Sequence, residues 1–152
     1  RRIWIASPYF VPDHGIVSAL QLAALRGVDV RVLIPDEPDG PMVAMANWSY
    51  TRDLLTPGVK VYRYQGGFMH QKVFLMDDHI AGVGTATFDN RSLRLNFEIT
   101  LITHDPAFAK QVEAMLETDF RRSRQVSLEE IDNKPAWFPL AMGVSRLFSP
   151  VL

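Results

Sequence analysis

The chain has 152 residues, 47% hydrophobic and 22% charged, with a formal net charge of −1 and no cysteine. One domain with a proper core fits that length. The near-neutral balance argues against a general nucleic-acid binder, which would carry a basic excess, and the lack of thiols excludes a disulfide framework, a thiolate nucleophile and a cysteine-based metal site. No run of 18 apolar residues is present, so no transmembrane helix is expected within the sequence. The chain opens on Arg1 with no leader segment and reads as a piece of something longer on its N-terminal side.

In chain order, Ile3 to Ala6 reads as a short buried strand, broken by Ser7-Pro8. Asp13 is the expected N-cap of a helix whose Ile16, Leu20, Ala23 and Ala24 share one face, closed by Gly27. Val28 to Ile34 is the next strand, stopped by Pro35. This β-α-β order predicts a parallel pair with a right-handed crossover. A loop over 36–40 leads to a helix from Met42 to about Leu55, then a strand from Val59 to Tyr64. Val73 to Met76 and Ile80 to Val83 form a predicted hairpin around Asp77-Asp78-His79. Arg94 to Thr103 alternates as one strand, with Leu95, Phe97, Ile99 and Leu101 on one face and Asn96, Glu98 and Thr100 on the other. Asp105-Pro106 predicts a helix start, followed by the stripe Phe108, Val112, Met115, Leu116 and Phe120. Ser127 to Glu130 resembles a capping box. Trp4 and Trp48 are expected in the core.

The chemistry concentrates around His70. On an extended segment His70 and Lys72 project to the same face, which suits an anion: the ammonium neutralises phosphate oxygens while an imidazole nitrogen approaches phosphorus. Thr85 and Thr87 share parity and offer hydroxyl donors to phosphate. Glu98 is placed to accept a proton from the other nitrogen of His70, which would fix its tautomer. Asp77 has the opposite parity and lies at a turn, so it is expected to hold that turn or an ion pair. His14 and His79 read as ordinary loop and turn histidines. Singly, Glu98 and the threonines read as ordinary strand residues; the full spacing His-x-Lys-x4-Asp-x6-Gly-Thr with a downstream Glu is what carries the functional reading.

That pattern resembles the HKD motif of the phospholipase D superfamily, and the likeness extends over almost the whole chain, narrowing to the bacterial cardiolipin synthases. The stretches Ser7 to Asp13, Ala23 to Arg31, Tyr62-Arg63-Tyr64 leading to Phe68 and His70, Asp89 to Ser92, Arg94 to Glu98, and the closing Arg146 to Leu152 all take part. The resemblance implies an α/β phospholipase D-like domain over 1–125, with a mixed, mostly parallel sheet flanked by helices and a helical extension over 126–152. It implies a C-terminal half whose site is completed by a missing N-terminal HKD half or a second copy of the chain.

By that resemblance the catalytic set is His70, Lys72, Asp77 and Glu98, with Lys72, Thr85 and Thr87 on substrate phosphate and no metal or cofactor required. Asparagine is usual where this chain has Thr87, so one donor to phosphate is shortened. The implied activity is phosphatidyl transfer between phosphatidylglycerol molecules through a phosphohistidine, giving cardiolipin. The implied partners are an anionic phospholipid substrate and a membrane surface, met peripherally at the cytoplasmic face of the bacterial inner membrane, with no nucleic acid. Rival readings are a homodimeric single-motif phosphodiesterase or nuclease, and an inactive lipid-binding half-domain. The apolar tail from Pro135 to Leu152 reads either as a helix packed on its own domain or as a lipid-interface segment.

Overall fold

The computed structural model describes residues 1–37, 41–89, 92–93, 96–135 and 137–147. Its centre is a seven-stranded mixed sheet. β1 (Arg2–Ala6), β3 (Asp29–Pro35) and β4 (Lys60–Tyr64) run parallel in the middle. β5 (Val73–Met76) pairs antiparallel with β1, and β6 (Ile80–Gly84) and β8 (Thr100–His104) continue that side antiparallel. β9 (Ser123–Gln125) closes the other edge against β4, giving the order β8-β6-β5-β1-β3-β4-β9. A separate two-residue pairing joins β2 (Phe10–Val11) to β7 (Phe88–Asp89) in parallel. The mixed α/β architecture expected from the sequence is therefore present, with the parallel part at its centre.

Alternation along the strands sends apolar side chains to both faces, and each face is covered by helices. Ile5, Val30, Val32, Ile34 and Val61 meet α1 (His14–Leu25) and α2 (Pro41–Leu55) through Val17, Leu20, Trp48 and Leu54. Trp4, Ala6, Leu33, Leu75 and Ala81 meet α3 (Pro106–Arg121) through Ala109, Val112, Leu116 and Phe120. The caps are the ones the side chains dictate: Asp13 accepts from the Ile16 amide at 2.9 Å and Asp105 from the Ala107 amide at 2.9 Å, with Pro106 beginning the helix. Ser127 likewise accepts from the Glu130 amide ahead of α4 (Leu128–Asp132).

The last described helix folds back on the domain. α5 (Phe138–Leu147) docks on α2, with the Phe138 ring edge-on to Trp48 at 6.0 Å between centroids. Trp48 also lies under the Arg63 guanidinium, 3.8 Å away. Of the two readings of the tail, packing on the domain describes the inner face of α5, through Phe138 and Met142. Residues 148–152, which carry most of the closing resemblance, lie outside the described residues.

One expected element is shorter than its pattern. The strand predicted over 94–103 is observed from Thr100 to His104; residues 94 and 95 are not described, and 96–99 are irregular. Phe97, Ile99 and Leu101, the apolar face of that pattern, are exposed. Alternation marks a surface that wants covering, and at this sheet edge nothing among the described residues covers it.

Candidate active site

The sheet topology decides what can meet what. β1, β3 and β4 finish at one end of the sheet, and so does β6, while the antiparallel β5 and β8 begin there. That end therefore collects Ser7 and Tyr9 after β1, the 65–72 loop after β4, Lys72 before β5, Thr85 after β6 and Glu98 before β8. Open α/β sheets bind ligands outside the carboxyl ends of their parallel strands, and this cluster sits there. Asp77 follows β5 and lies at the opposite end, roughly 16 Å from Lys72 at ~3.3 Å per strand residue.

Asp77 does what its parity suggested. It takes a left-handed backbone conformation (φ 54°), which aspartate tolerates better than most residues, in the β5–β6 turn. Its carboxylate accepts from the Arg2 amide at 3.0 Å, and its carbonyl accepts from Arg2 Nε at 3.0 Å. Arg2 also donates to Asp78 at 2.7 Å and to Glu113 on α3. The aspartate of the motif is thus a clamp on the hairpin, distant from the other motif residues.

His70 is exposed, its ring stacked on Phe68 at 5.6 Å between centroids and met edge-on by Tyr9 at 6.4 Å. Among the described residues the imidazole makes these ring contacts and no hydrogen bond. Lys72 folds back so that Nζ donates to the His70 carbonyl at 3.1 Å. Its pKa is pulled below the usual lysine value by burial, with Glu98 and then Asp89 pulling the other way. Both carboxylates therefore lie near enough to favour the charged form of Lys72.

Glu98 is brought to Thr85 and not to His70. The Thr85 hydroxyl donates to the Glu98 carboxylate and accepts from the Ile99 amide at 3.0 Å, while the Thr85 amide donates to the Ile99 carbonyl at 2.9 Å. The cause lies at Gly84. An added Cβ would approach Thr100 Cα to 2.7 Å and the Ile99 carbonyl oxygen more closely still, so the missing side chain lets the β6 end lie directly on the residues that carry Glu98.

Thr87 is turned into the protein. It is 5% exposed, its hydroxyl donates to Asp89, and it lies 2.6 Å from Ser92 Oγ. Its single proton being committed to Asp89, Ser92 must be the donor in that second contact. Asp89 also accepts from the Ser92 amide at 2.7 Å. A serine at the end of β1 completes the support: Ser7 Oγ donates to the Tyr9 carbonyl at 2.7 Å and accepts from the Phe88 amide at 3.1 Å. Ser7, Asp89 and Ser92 were not assigned roles from sequence. The Asp-x-x-Ser spacing is a local signal for the Asp89–Ser92 pair; nothing local links Ser7 to Phe88.

The arrangement presents an exposed imidazole, an ammonium and a hydroxyl bonded to a carboxylate at one end of a mixed sheet, a set suited to holding and attacking a phosphodiester. Solved structures share the fold. A phospholipase D family member, NUC, from Salmonella typhimurium matches with a TM-score of 0.70 at 20% identity, covering 82% of this chain and 81% of its own. Phosphatidylserine synthase from Haemophilus influenzae matches with a TM-score of 0.76 at 18% identity, covering all of this chain and 42% of its own. The model of the cardiolipin synthase PLD-like domain family matches residues 1–120, and the chain belongs to that family. Over all 152 residues it is 52% identical to cardiolipin synthase A of Pseudomonas entomophila strain L48, and 51% identical to that of Pseudomonas putida KT2440. It spans about a third (32%) of the length of each of those relatives.

Proposed function

We propose that this chain is the C-terminal HKD half of a phosphatidyltransferase that makes cardiolipin from two molecules of phosphatidylglycerol. The observation that carries the reading is the grouping of His70, Lys72 and the Thr85–Glu98 pair at one end of the sheet in a chain of this family. One imidazole attacks phosphorus and the P–O bond to the departing glycerol breaks, its oxygen taking a proton from a second imidazole. A primary hydroxyl of the second phosphatidylglycerol then gives its proton to that imidazole and attacks phosphorus, breaking the P–N bond. His70 is one of the two imidazoles. Lys72 neutralises the phosphoryl oxygens, the Thr85–Glu98 pair holds the strand edge beside it, and Asp77 fixes the hairpin that carries Lys72.

The second imidazole comes from another HKD half. What supports such a partner is the exposed apolar row Val83, Phe97, Ile99 and Leu101 on the sheet edge beside Glu98, together with the length of the relatives. The substrate being a bilayer lipid, the segment works peripherally at the cytoplasmic face of the inner membrane; no helix among the described residues is long and apolar enough to cross one. The rival reading, a homodimeric single-motif phosphodiesterase, draws on the nearly end-to-end fold match to the Salmonella chain. The full-length protein, incubated with phosphatidylglycerol, separates them: equimolar cardiolipin and glycerol are expected, whereas untouched lipid with cleaved single-stranded DNA would replace the transferase by the phosphodiesterase.

A further inference from the structure

Beside His70 lies a cleft of about 350 Å³ between the 65–71 loop and α3. A volume of that size is at the lower end for small-ligand sites. Its polar lining comes from three elements: Tyr64 at the end of β4, Gln71 in the loop and Asp119 near the end of α3. Gln71 Nε2 donates to Asp119 Oδ2 at 2.8 Å. Among the described residues this is the carboxylate's only side-chain partner, which leaves Oδ1 able to accept. The Tyr64 ring is held by the loop itself, because the backbone of Gly66 lies against it where any side chain would collide with the phenol. The remaining lining is His70 itself at the mouth and the apolar side chains of Met69, of Phe68, largely exposed and stacked on His70, and of Met115, one helical turn before Asp119 on the same face of α3.

A carboxylate inside this cleft repels phosphate, so the phosphoryl group belongs on the Lys72 side of His70 and something uncharged or cationic belongs here. Tyr64 offers a hydroxyl donor, Gln71 Oε1 and Asp119 Oδ1 offer acceptors. A vicinal diol uses donors and acceptors together; an ammonium would use the acceptors alone and leave the phenol hydroxyl without an acceptor. Phe68 and Met115 give the rest of a lipid an apolar surface to lie across.

We propose that this cleft is a polyol subsite that seats the glycerol headgroup of phosphatidylglycerol, with Tyr64, Gln71 and Asp119 reading its hydroxyls. The inference rests on the proposed phosphatidyl transfer and adds to it the group that selects the accepting alcohol over water. Sites built to hydrogen-bond a hydroxyl discriminate strongly against acceptors that lack it.

The test uses the full-length enzyme with labelled phosphatidylglycerol in mixed micelles, following cardiolipin (lipid as acceptor) against phosphatidic acid (water as acceptor). Asp119→Asn is expected to lower the cardiolipin-to-phosphatidic acid ratio tenfold or more. Tyr64→Phe, which keeps the ring and its packing, is expected to lower it at least threefold. With ethanol as acceptor, which carries a single hydroxyl and gives phosphatidylethanol, both effects relative to phosphatidic acid should be smaller. An unchanged ratio in both variants, or a greater loss with ethanol, overturns the polyol assignment while the transferase stands. A wild-type enzyme that makes no cardiolipin overturns the transferase, and the subsite with it.

Discussion

The Thr85 hydroxyl spends its proton on the Glu98 carboxylate while accepting from the Ile99 amide at 3.0 Å, so the threonine of the motif is locked across the β6–β8 edge. Glu98 also contributes to holding the proton on Lys72, against the burial that lowers its pKa. Removing the carboxylate takes away a raising influence, so the ammonium loses its proton at lower pH. Glu98→Gln in the full-length enzyme is therefore expected to cost roughly ten- to a hundredfold in kcat, at or below the low end of what a positioned acid–base group contributes, because Glu98 acts through Lys72. The alkaline limb of its pH–rate profile should move to lower pH. A profile identical to wild type would show that Glu98 does not govern Lys72.

Gly84 explains why a glycine precedes Thr85 in the motif. With backbone of Ile99 and Thr100 where a side chain would go, Gly84→Ala must push β8 away from β6 and separate Thr85 from Glu98. Overpacking of this kind costs about 1–3 kcal/mol. Urea unfolding should show that loss together with a drop in phosphatidyl transfer; an alanine variant of wild-type stability would mean that the strands can part without strain.

Thr87 is buried on Asp89 and Ser92, so its hydroxyl serves the loop that follows β7. Thr87→Val keeps the shape and removes the donor, leaving Asp89 one bond short in a buried place. A stability loss of about 1–3 kcal/mol is expected, measurable by denaturant melts. A loss of activity with full stability would instead bring Thr87 back to the phosphate.

Asp29 provides a pH test of the fold far from the chemistry. Burial pushes its carboxyl up, but hydrogen bonds from Lys60 at 2.7 Å, Arg31 at 2.9 Å and Trp4 at 3.1 Å prevail and hold it at about 2. A carboxylate with its folded value below its unfolded one stabilises above the unfolded value, about 4, and that stability disappears as pH falls through about 2. Discounted for partial exposure, the contribution is about 1–2 kcal/mol. Asp29→Asn should lose that amount at pH 7 and show a flatter stability profile between pH 4 and 2; an unchanged slope would contradict the ion cluster.

What the sequence made legible was local or periodic. Asp13, Asp105 and Ser127 cap helices through bonds to amides two or three residues on, and the Asp77 turn needs only its own hairpin. The hydrophobic periods gave the central strands and the covering helices α1 and α3. The strand read over 94–103 is observed only from Thr100, because alternation shows which residues share a face and not whether a neighbouring strand pairs with them. β2 and β7, two residues each, are too short to show a period at all. Within the candidate site, the His-x-Lys spacing is what singles out His70 and Lys72. That Glu98 would meet Thr85, and that Ser7 would support Phe88, depends on strand register and on how closely Gly84 lets two backbones approach.

The most direct test is glycerol release from phosphatidylglycerol by the full-length protein and its His70→Ala variant, both checked for the wild-type melting temperature. With His70 bonded to phosphorus or exchanging the alcohol's proton, the variant should release glycerol at least a thousandfold more slowly, in line with what a nucleophile or general acid supplies. Glycerol release by the folded alanine variant at the wild-type rate would contradict the account.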